Sequence, residues 1–454
     1  MKQIIIITVL ILLLLTSWGT AQNDPPMSDK EKTAIAEKVK AEFMHSWNGY
    51  KKYAMGHDEL KPLSNSFRDW HASSLLMTPV DALDVLYIMG FKKEADSTKE
   101  YIIRNLSFDH DMFVKNFEIT IRILGGLLSS YQLSGDKRLL DLADDLGKRL
   151  LPVFNSRTGM PWMYVNLKTG EVRGDTSNPA EIGTLLIEFG ALSKLTGKPV
   201  YYDKAKRALV ELFNRRSSLG LVGSAIDINT GDWVDSTSHI SGGIDSYYEY
   251  LLKCWLLFGD KDCEKMWKES ISALNKYVED KTESGFWYKQ VNMYTGKKIS
   301  TLYGALDAFF PAVLSLSGDI NRAELLQESS YKMWTIAGIE PEEIDYLTLK
   351  ITYPAYPLRP EIIESAYYLY HFTQNFRYLE MGKTILENLI LYCRTESGYC
   401  SLKNVITKEK NDRMESFFLA ETLKYLYLLF AEPGTIDFRN TIFNTEAHPI
   451  KRSW

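Results

Sequence analysis

Phe117-Glu118-Ile119-Thr120-Ile121-Arg122, followed by Leu124-Gly125-Gly126-Leu127-Leu128, sets one acid and one base in a stretch that is otherwise apolar. At a spacing of four, Glu118 and Arg122 share one face of a helix, and Glu before Arg is the favourable order. Gly125-Gly126 lets a neighbouring element approach closely. A surface ion pair is the other reading, and the apolar neighbours weaken it. Two more segments repeat the pattern of acids in an apolar helical context: Ile244-Asp245-Ser246-Tyr247-Tyr248-Glu249-Tyr250 and Leu358-Arg359-Pro360-Glu361-Ile362-Ile363-Glu364-Ser365. A carboxylate in such surroundings is costly to desolvate unless something compensates it. Acids so placed, far apart in sequence, predict convergence on one pocket.

Outward from this helix, apolar residues recur at i, i+3, i+4 and i+7 through about 14 segments. They lie near 31–54, 79–89, 92–105, 111–132, 137–151, 178–196, 200–215, 243–258, 262–280, 302–316, 320–336, 360–374, 377–393 and 412–430. Fourteen helices make seven hairpins, and seven hairpins can close into an (α/α)7 toroid. Periodicity alone leaves a six-pair toroid and an open solenoid equally available. Between several pairs lie Gly- and Trp-rich stretches with strand character, such as 159–166 and Gly285-Phe286-Trp287-Tyr288. These read as short hairpins and loops on one rim, where binding usually resides. Their aromatic residues either face the apolar sides of sugar rings or simply pack.

The composition bounds the rest. Lys2, the 12-residue run Ile4 to Leu15 and small residues before a cut after Ala21 read as an export signal over 1–21. The run falls short of the roughly 20 apolar residues of a spanning helix, which leaves an uncleaved anchor as the alternative. Residues 22–454 show no linker, charge block or low-complexity tract after about Asp29, so one domain is expected. Its destination is the periplasm or exterior of a bacterium, or the secretory pathway of a eukaryote. A net charge of −5 without a basic stripe argues against nucleic acid and anionic membrane surfaces. Of the four cysteines, Cys393 and Cys400 flank a Gly-containing turn and either pair or remain buried thiols. No zinc spacing, His-Glu-x-x-His, Gly-x-Ser-x-Gly or Walker motif occurs.

Each acid has its own local reading. Glu361 and Glu364 follow Pro360, a start signal at the first helical position, so the helix dipole is expected to favour their charged forms. Asp245 precedes Ser246-Tyr247-Tyr248-Glu249, a capping-box pattern, and is either helix-start architecture or a catalytic acid. Glu421 shares a face with Phe417, Phe418 and Tyr425: an aromatic platform beside a carboxylate, or a core helix with one buried Glu–Lys pair. Thr445 offers two hard oxygens, and nearby carboxylates can complete a calcium shell directly or through water.

Together with Phe443-Asn444-Thr445-Glu446-Ala447-His448-Pro449, these segments resemble the signature of glycoside hydrolase family 47, the class I α-1,2-mannosidases. The likeness runs from about Trp47 to Pro449 and includes 53–60, 80–84, 124–128 and Glu188-Phe189 with Leu192-Ser193. The resemblance selects seven hairpins. It implies calcium-dependent, inverting hydrolysis of terminal α-1,2-linked mannose on high-mannose glycans; the N-terminal segment adds the expectation of export, and a monomer is expected. By the same resemblance Glu118 is the acid, Glu361 the base and Asp245 the third essential carboxylate. Arg122, Arg359, Phe417 and Glu421 match sugar contacts, and Glu181 matches more loosely. Thr445 matches the direct calcium ligand, with Glu364 and Glu446 near that shell through water. The family's His-Leu-x-Cys-Phe stands here as Ala305-Leu306-Asp307-Ala308-Phe309, which removes one sugar contact and one cysteine. That stretch is similar to bacterial members and to the ER degradation-enhancing mannosidase-like branch. Two rivals remain: a non-catalytic mannose-binding toroid, and a different toroid enzyme such as a sugar epimerase.

Overall fold

A computed structural model describes residues 27–454. The export signal expected over 1–21 lies outside the described residues. Fourteen helical runs occupy nearly the expected places. Six consecutive hairpins pair Met77–Ile88 with Lys92–Asn105, 116–134 with Lys137–Leu150, 179–196 with Pro199–Phe213, Asp245–Phe258 with Lys261–Tyr277, 305–317 with Ile320–Ala337, and Glu361–Thr373 with Arg377–Tyr392. The seventh pair is not contiguous in sequence: the first helix, Asp29–Tyr53, packs on the last, 418–430. The first member of each hairpin, together with 418–430, forms an inner ring, and 418–430 meets Met77–Ile88 to close it. The architecture is the (α/α)7 toroid.

Sequence character sorts the two rings. Inner helices are apolar on every face, as in Met77–Ile88, where Met77 through Leu86 are all buried. Outer helices are amphipathic: Lys137–Leu150 buries Leu139, Ala143, Leu146, Gly147 and Leu150, a single stripe at helical spacing. Six of the inner helices return outward through short turns, so all seven inner helices point the same way. Five of the turns place glycine in the left-handed region, at Gly90, Gly135, Gly197, Gly259 and Gly318 (φ 81, 74, 70, 69 and 92°). The equivalent turn after Glu361–Thr373 uses Gln374 (φ 55°), whose Nε2 donates to the carbonyls of Tyr370 and His371, both at 3.1 Å.

The opposite rim carries the long connections and most of the strands. Eight small antiparallel sheets occur among the described residues. Several join neighbouring connections: Thr176–Ser177, just before one inner helix, pairs with Ala225–Asp227 from the next connection, and Leu302–Gly304 pairs with Glu343–Asp345. The aromatic stretch 285–288 packs rather than faces solvent; Trp287 is fully buried and stacks on Tyr346 at 5.3 Å. All four cysteines are buried free thiols. Burial raises the Cys393 thiol well above its usual range and the Cys400 thiol to about 11, so neither supplies the thiolate that disulfide exchange requires.

A last hairpin, Thr441–Phe443 with Pro449–Lys451, enters the ring from the short-turn end. Its base is held there, where Gln132 Nε2 donates to the Lys451 carbonyl at 2.8 Å. Gly125 and Gly126 make room for its tip: a Cβ on Gly125 would meet Asn444 Nδ2 at 2.6 Å, and one on Gly126 would meet His448 Cε1 at 3.2 Å as well as Val80 Cγ1 of the neighbouring helix at 2.8 Å. At the same end of the ring, Gln374 gives a test of the turn geometry. Gln374→Gly is expected to be more stable than Gln374→Ala by about 1 kcal/mol, because alanine keeps the left-handed strain and loses the capping bonds. Equal urea midpoints for the two variants would refute this account.

Candidate active site

The parallel inner helices bring their N-termini to the strand-bearing rim, and their first turns surround one cavity of about 340 Å³. Glu118, Arg122, Glu181, Asp245, Arg359, Glu361, Glu364, Phe417, Glu421, Thr445 and Glu446 all line it. Every site residue named from the sequence is therefore gathered in one place. Helix dipoles directed at the cavity favour negative charge there, which suits a lining rich in acids.

Glu118 Oε2 accepts from Arg122 Nε at 3.0 Å. The Arg122 guanidinium also pairs with Glu446 and lies 4.0 Å from Asp81 Oδ2. Burial opposes its charge, and Glu446, Glu118 and Asp81 hold it protonated. Arg122 belongs to a π turn, Thr120–Leu124, and Glu421 to another, Phe418–Thr422. Such insertions shift helix register locally and recur at functional sites. Glu181 follows the N-cap Asn178, whose side chain accepts from Glu181 N at 3.0 Å, and its Oε1 pairs with Lys115 Nζ at 2.6 Å.

The capping box expected at Asp245 does not form. The helix begins at Asp245 after Ile244, which makes no side-chain cap, and Glu249 pairs with Lys253 instead. Asp245 Oδ1 accepts from Ser246 N at 2.8 Å, and burial raises its pKa to about 7. Pro360 is the N-cap rather than the first helical residue, so Glu361 opens the helix. The expected dominance of the helix dipole over Glu361 and Glu364 is also overturned. Burial raises Glu361 to about 7 although Arg359, 4.0 Å away, pulls the other way. Glu364 is raised too, by burial against the opposing pull of Lys253. Desolvation in a closed ring outweighs one helix terminus.

Leu358 sits in the left-handed region (φ 69°) with its carbonyl accepting from Thr422 Oγ1 at 2.7 Å. This strained residue directs Arg359 to the cavity. Glu342 holds that guanidinium from behind, accepting from Nε at 3.1 Å and from Nη2. Phe417 lies between two guanidinium groups, 5.7 Å from Arg122 and 5.9 Å from Arg359. The wider aromatic platform is not present: Phe418 turns away to Tyr399, and Tyr425 donates to Glu364 Oε1 at 3.1 Å. Nor is Glu421 paired with Lys424, which bonds Asp84. Where the resemblance expects a histidine, Ala305 is buried with its N–H bonded to the Glu342 carbonyl, and the wall is Leu306 and Phe309.

The floor is the turn 444–448. Asn444 Oδ1 accepts from the N–H groups of Glu446 and His448, at 3.0 and 2.7 Å. Its Nδ2 donates to the Ile121 carbonyl and to Glu188 Oε1, both at 2.8 Å, and Tyr250 donates to the same Glu188 oxygen at 2.6 Å. His448 bridges Asp84 Oδ2 at 2.7 Å and Asp81 Oδ1 at 3.3 Å, all three fully buried. Burial alone would depress His448; Asp84 and Asp81 raise it to about 9. Lys424 Nζ completes the cluster, 2.9 Å from Asp84 Oδ1 and 2.5 Å from the Ala447 carbonyl.

Lys115, Lys253 and Glu342 escaped the sequence reading, which named Glu188, Glu249 and the stretch 80–84 with Asp81 and Asp84 but gave none of them a part in the site. Asp81 and Asp84 did carry a signal, two acids in the first turns of an all-apolar helix, as at Glu361 and Glu364. Glu342 lies in a loop and had none. Eight carboxylates but three cationic side chains line the cavity among the described residues. That excess of negative charge, with the neutral oxygens of Thr445 among it, fits a hard divalent cation. No three acids among the described residues converge closely enough to chelate a metal by themselves. No helix among the described residues is long and apolar enough to cross a membrane.

The family model described as glycosyl hydrolase family 47 matches residues 42–452. Alpha-mannosidase I MNS5 of Arabidopsis thaliana is 39% identical over 93% of this chain and 78% of its own. The ER degradation-enhancing alpha-mannosidase-like protein 2 of Mus musculus is 39% identical over 91% of this chain and 77% of its own. The solved alpha-1,2-mannosidase from Trichoderma reesei superposes with a TM-score of 0.85 at 29% identity, over 94% of this chain and all (100%) of that one. A cellobiose 2-epimerase from Bacillus thermoamylovorans, at 12% identity and a TM-score of 0.57 over 88% of this chain and 99% of its own, shares the fold alone.

The buried clamp at the floor makes its own prediction. His448→Ala leaves Asp81 without its hydrogen-bond partner and Asp84 with Lys424 alone, and is expected to cost about 3–5 kcal/mol of stability. A urea titration showing a loss below about 1 kcal/mol would show that the clamp does not hold the turn.

Proposed function

The chain belongs to glycosyl hydrolase family 47, and on that premise we propose that it is an exo-acting α-1,2-mannosidase, calcium-dependent and inverting, that removes terminal mannose from high-mannose glycans. One observation carries the reading: Glu118, Asp245 and Glu361, from three different inner helices, line a single cavity with Thr445 at its floor. The printed names of the relatives, among them a mannosyl-oligosaccharide 1,2-alpha-mannosidase of Arabidopsis thaliana at 37% identity, support the substrate class.

In this reading the terminal mannose enters between Arg122, Arg359 and the Phe417 ring, whose apolar face takes the sugar's C–H side. Glu118 gives a proton to the departing glycosidic oxygen. Glu361 takes a proton from a water that attacks the anomeric carbon from the opposite face, so the configuration inverts. A base held near pKa 7 by burial is matched to work near neutrality. Asp245 stands beside the forming oxocarbenium-like centre, and Arg122 keeps Glu118 oriented. Thr445, backed by Glu364 and Glu446 through water, would hold calcium, which supplies an anchor for sugar hydroxyls when bound.

Glu118→Gln, Asp245→Asn and Glu361→Gln should each lower kcat on α-1,2-mannobiose by at least about a hundredfold. Proton NMR of the first product should show β-mannose. Near-normal turnover in a folded variant removes that residue's role, and α-mannose as first product excludes inversion. No hydrolysis by the unsubstituted protein would leave a binding toroid.

The metal makes a separate prediction. Chelation should abolish turnover, with calcium restoring it better than magnesium, which demands tight octahedral geometry. Thr445→Ala should weaken calcium binding by calorimetry without lowering the unfolding temperature. Full activity in rigorously metal-free protein would refute both the calcium and the part given to Thr445.

A further inference from the structure

Beside the active cavity the rim holds a second cleft of about 350 Å³. It is the outer face of an irregular sheet of three extended segments. Tyr356 and Leu402 exchange backbone bonds at 2.9 and 2.8 Å, and Val405 N donates to the Pro354 carbonyl at 2.7 Å. Ser401 N donates to the Arg413 carbonyl at 2.9 Å, and Asn411 N to the Ser401 carbonyl at 2.8 Å. Strand alternation then sorts the side chains. Tyr356, Leu402 and Met414 point into the core, at 0, 2 and 1% exposure. Tyr353, Lys403, Asn411 and Arg413 line the cleft.

The chemistry of that face is specific in kind. Tyr353 leaves its ring open to solvent, 56% exposed. Two cations, Lys403 and Arg413, are balanced by two carboxylates, Glu342 and Glu415, so the cleft has no net call for an ionic ligand. Asn411 Nδ2 donates to Ser401 Oγ at 3.1 Å, and Arg413 Nε pairs with Glu415 at 2.5 Å and lies 3.5 Å from Glu59. Planar polar groups beside one open aromatic ring suit a neutral hexose, whose hydroxyls bond in the ring plane and whose C–H face stacks. Glu342 lines the cleft and grips Arg359, which lines the active cavity. One ion pair is thus the wall between the two.

We propose that this cleft is a second sugar subsite, occupied by a neutral hexose on another branch of the glycan whose terminal mannose lies in the active cavity. The inference rests on the α-mannosidase reading given above. Its test compares two substrates in Tyr353→Ala and in Tyr353→Ala/Asn411→Ala, with unfolding temperatures measured alongside. On a branched high-mannose oligosaccharide, KM should rise about three- to tenfold with kcat little changed, the scale of one lost aromatic contact. On α-1,2-mannobiose, which carries no second branch, both constants should stay within about twofold. Equal losses on both substrates, or none on the branched one, would overturn the subsite. If the unsubstituted protein leaves mannobiose intact, the proposed activity fails on its own. Saturation-transfer NMR with the same branched oligosaccharide then decides the cleft: weaker transfer in the double variant upholds it, and unchanged transfer overturns it.

Discussion

Three buried charges hold this site in place: His448 and Lys424 on Asp84, with no exposure at any of the three. Two come from inner helices at the seam of the ring, and one from a turn near the end of the chain. The cluster ties the helix 77–88 to 418–430, the two elements that close the ring, and seats the tip of the last hairpin between them. Remove the compensation and the desolvation cost of each charge returns in full. Everything above the floor, from the position of Thr445 to the Arg122–Glu446 pair, depends on that seat.

The cavity itself is an electrostatic compromise. Parallel helix N-termini invite negative charge, and the sequence supplies more acids than the terminal dipoles and three cationic side chains compensate. The residual cost appears as carboxyls held near neutrality: Asp245, Glu361 and Glu181 are all raised to about 7, each chiefly by burial. Crowded acids of this kind are poor for stability and useful for binding and proton transfer. The Leu358 turn adds backbone strain at the same place.

Helix number and position were legible because inner and outer helices differ in pattern, and each inner helix carried acids in an apolar run. The closure was not: that Asp29–Tyr53 pairs with 418–430 is set by tertiary contact, and no local period distinguishes it from a sequential hairpin. Glu118, Asp245 and Glu361 were visible as acids out of place in apolar helices. Glu342 and Lys115 lie outside such helices, where a charged residue is ordinary, so nothing marked them. Phe418 was misread for a related reason. Helical spacing puts it near Glu421, but the π turn at Phe418–Thr422 changes the register that the spacing assumes. The dipole argument at Glu364 failed because burial in a closed ring cannot be read from thirteen residues of one helix.

The pairing of the first helix with the last also sets a clock on the molecule's making. Every other hairpin can form as soon as its second helix is synthesised, from contacts close in sequence. Asp29–Tyr53 must wait, its apolar face uncovered, for a partner nearly four hundred residues later in the chain. The pocket has no floor until Thr445 and Glu446 follow. Closure of this ring therefore needs a contact far longer in sequence than any that its six local hairpins need, and the site is not complete until the end of the chain has taken its place.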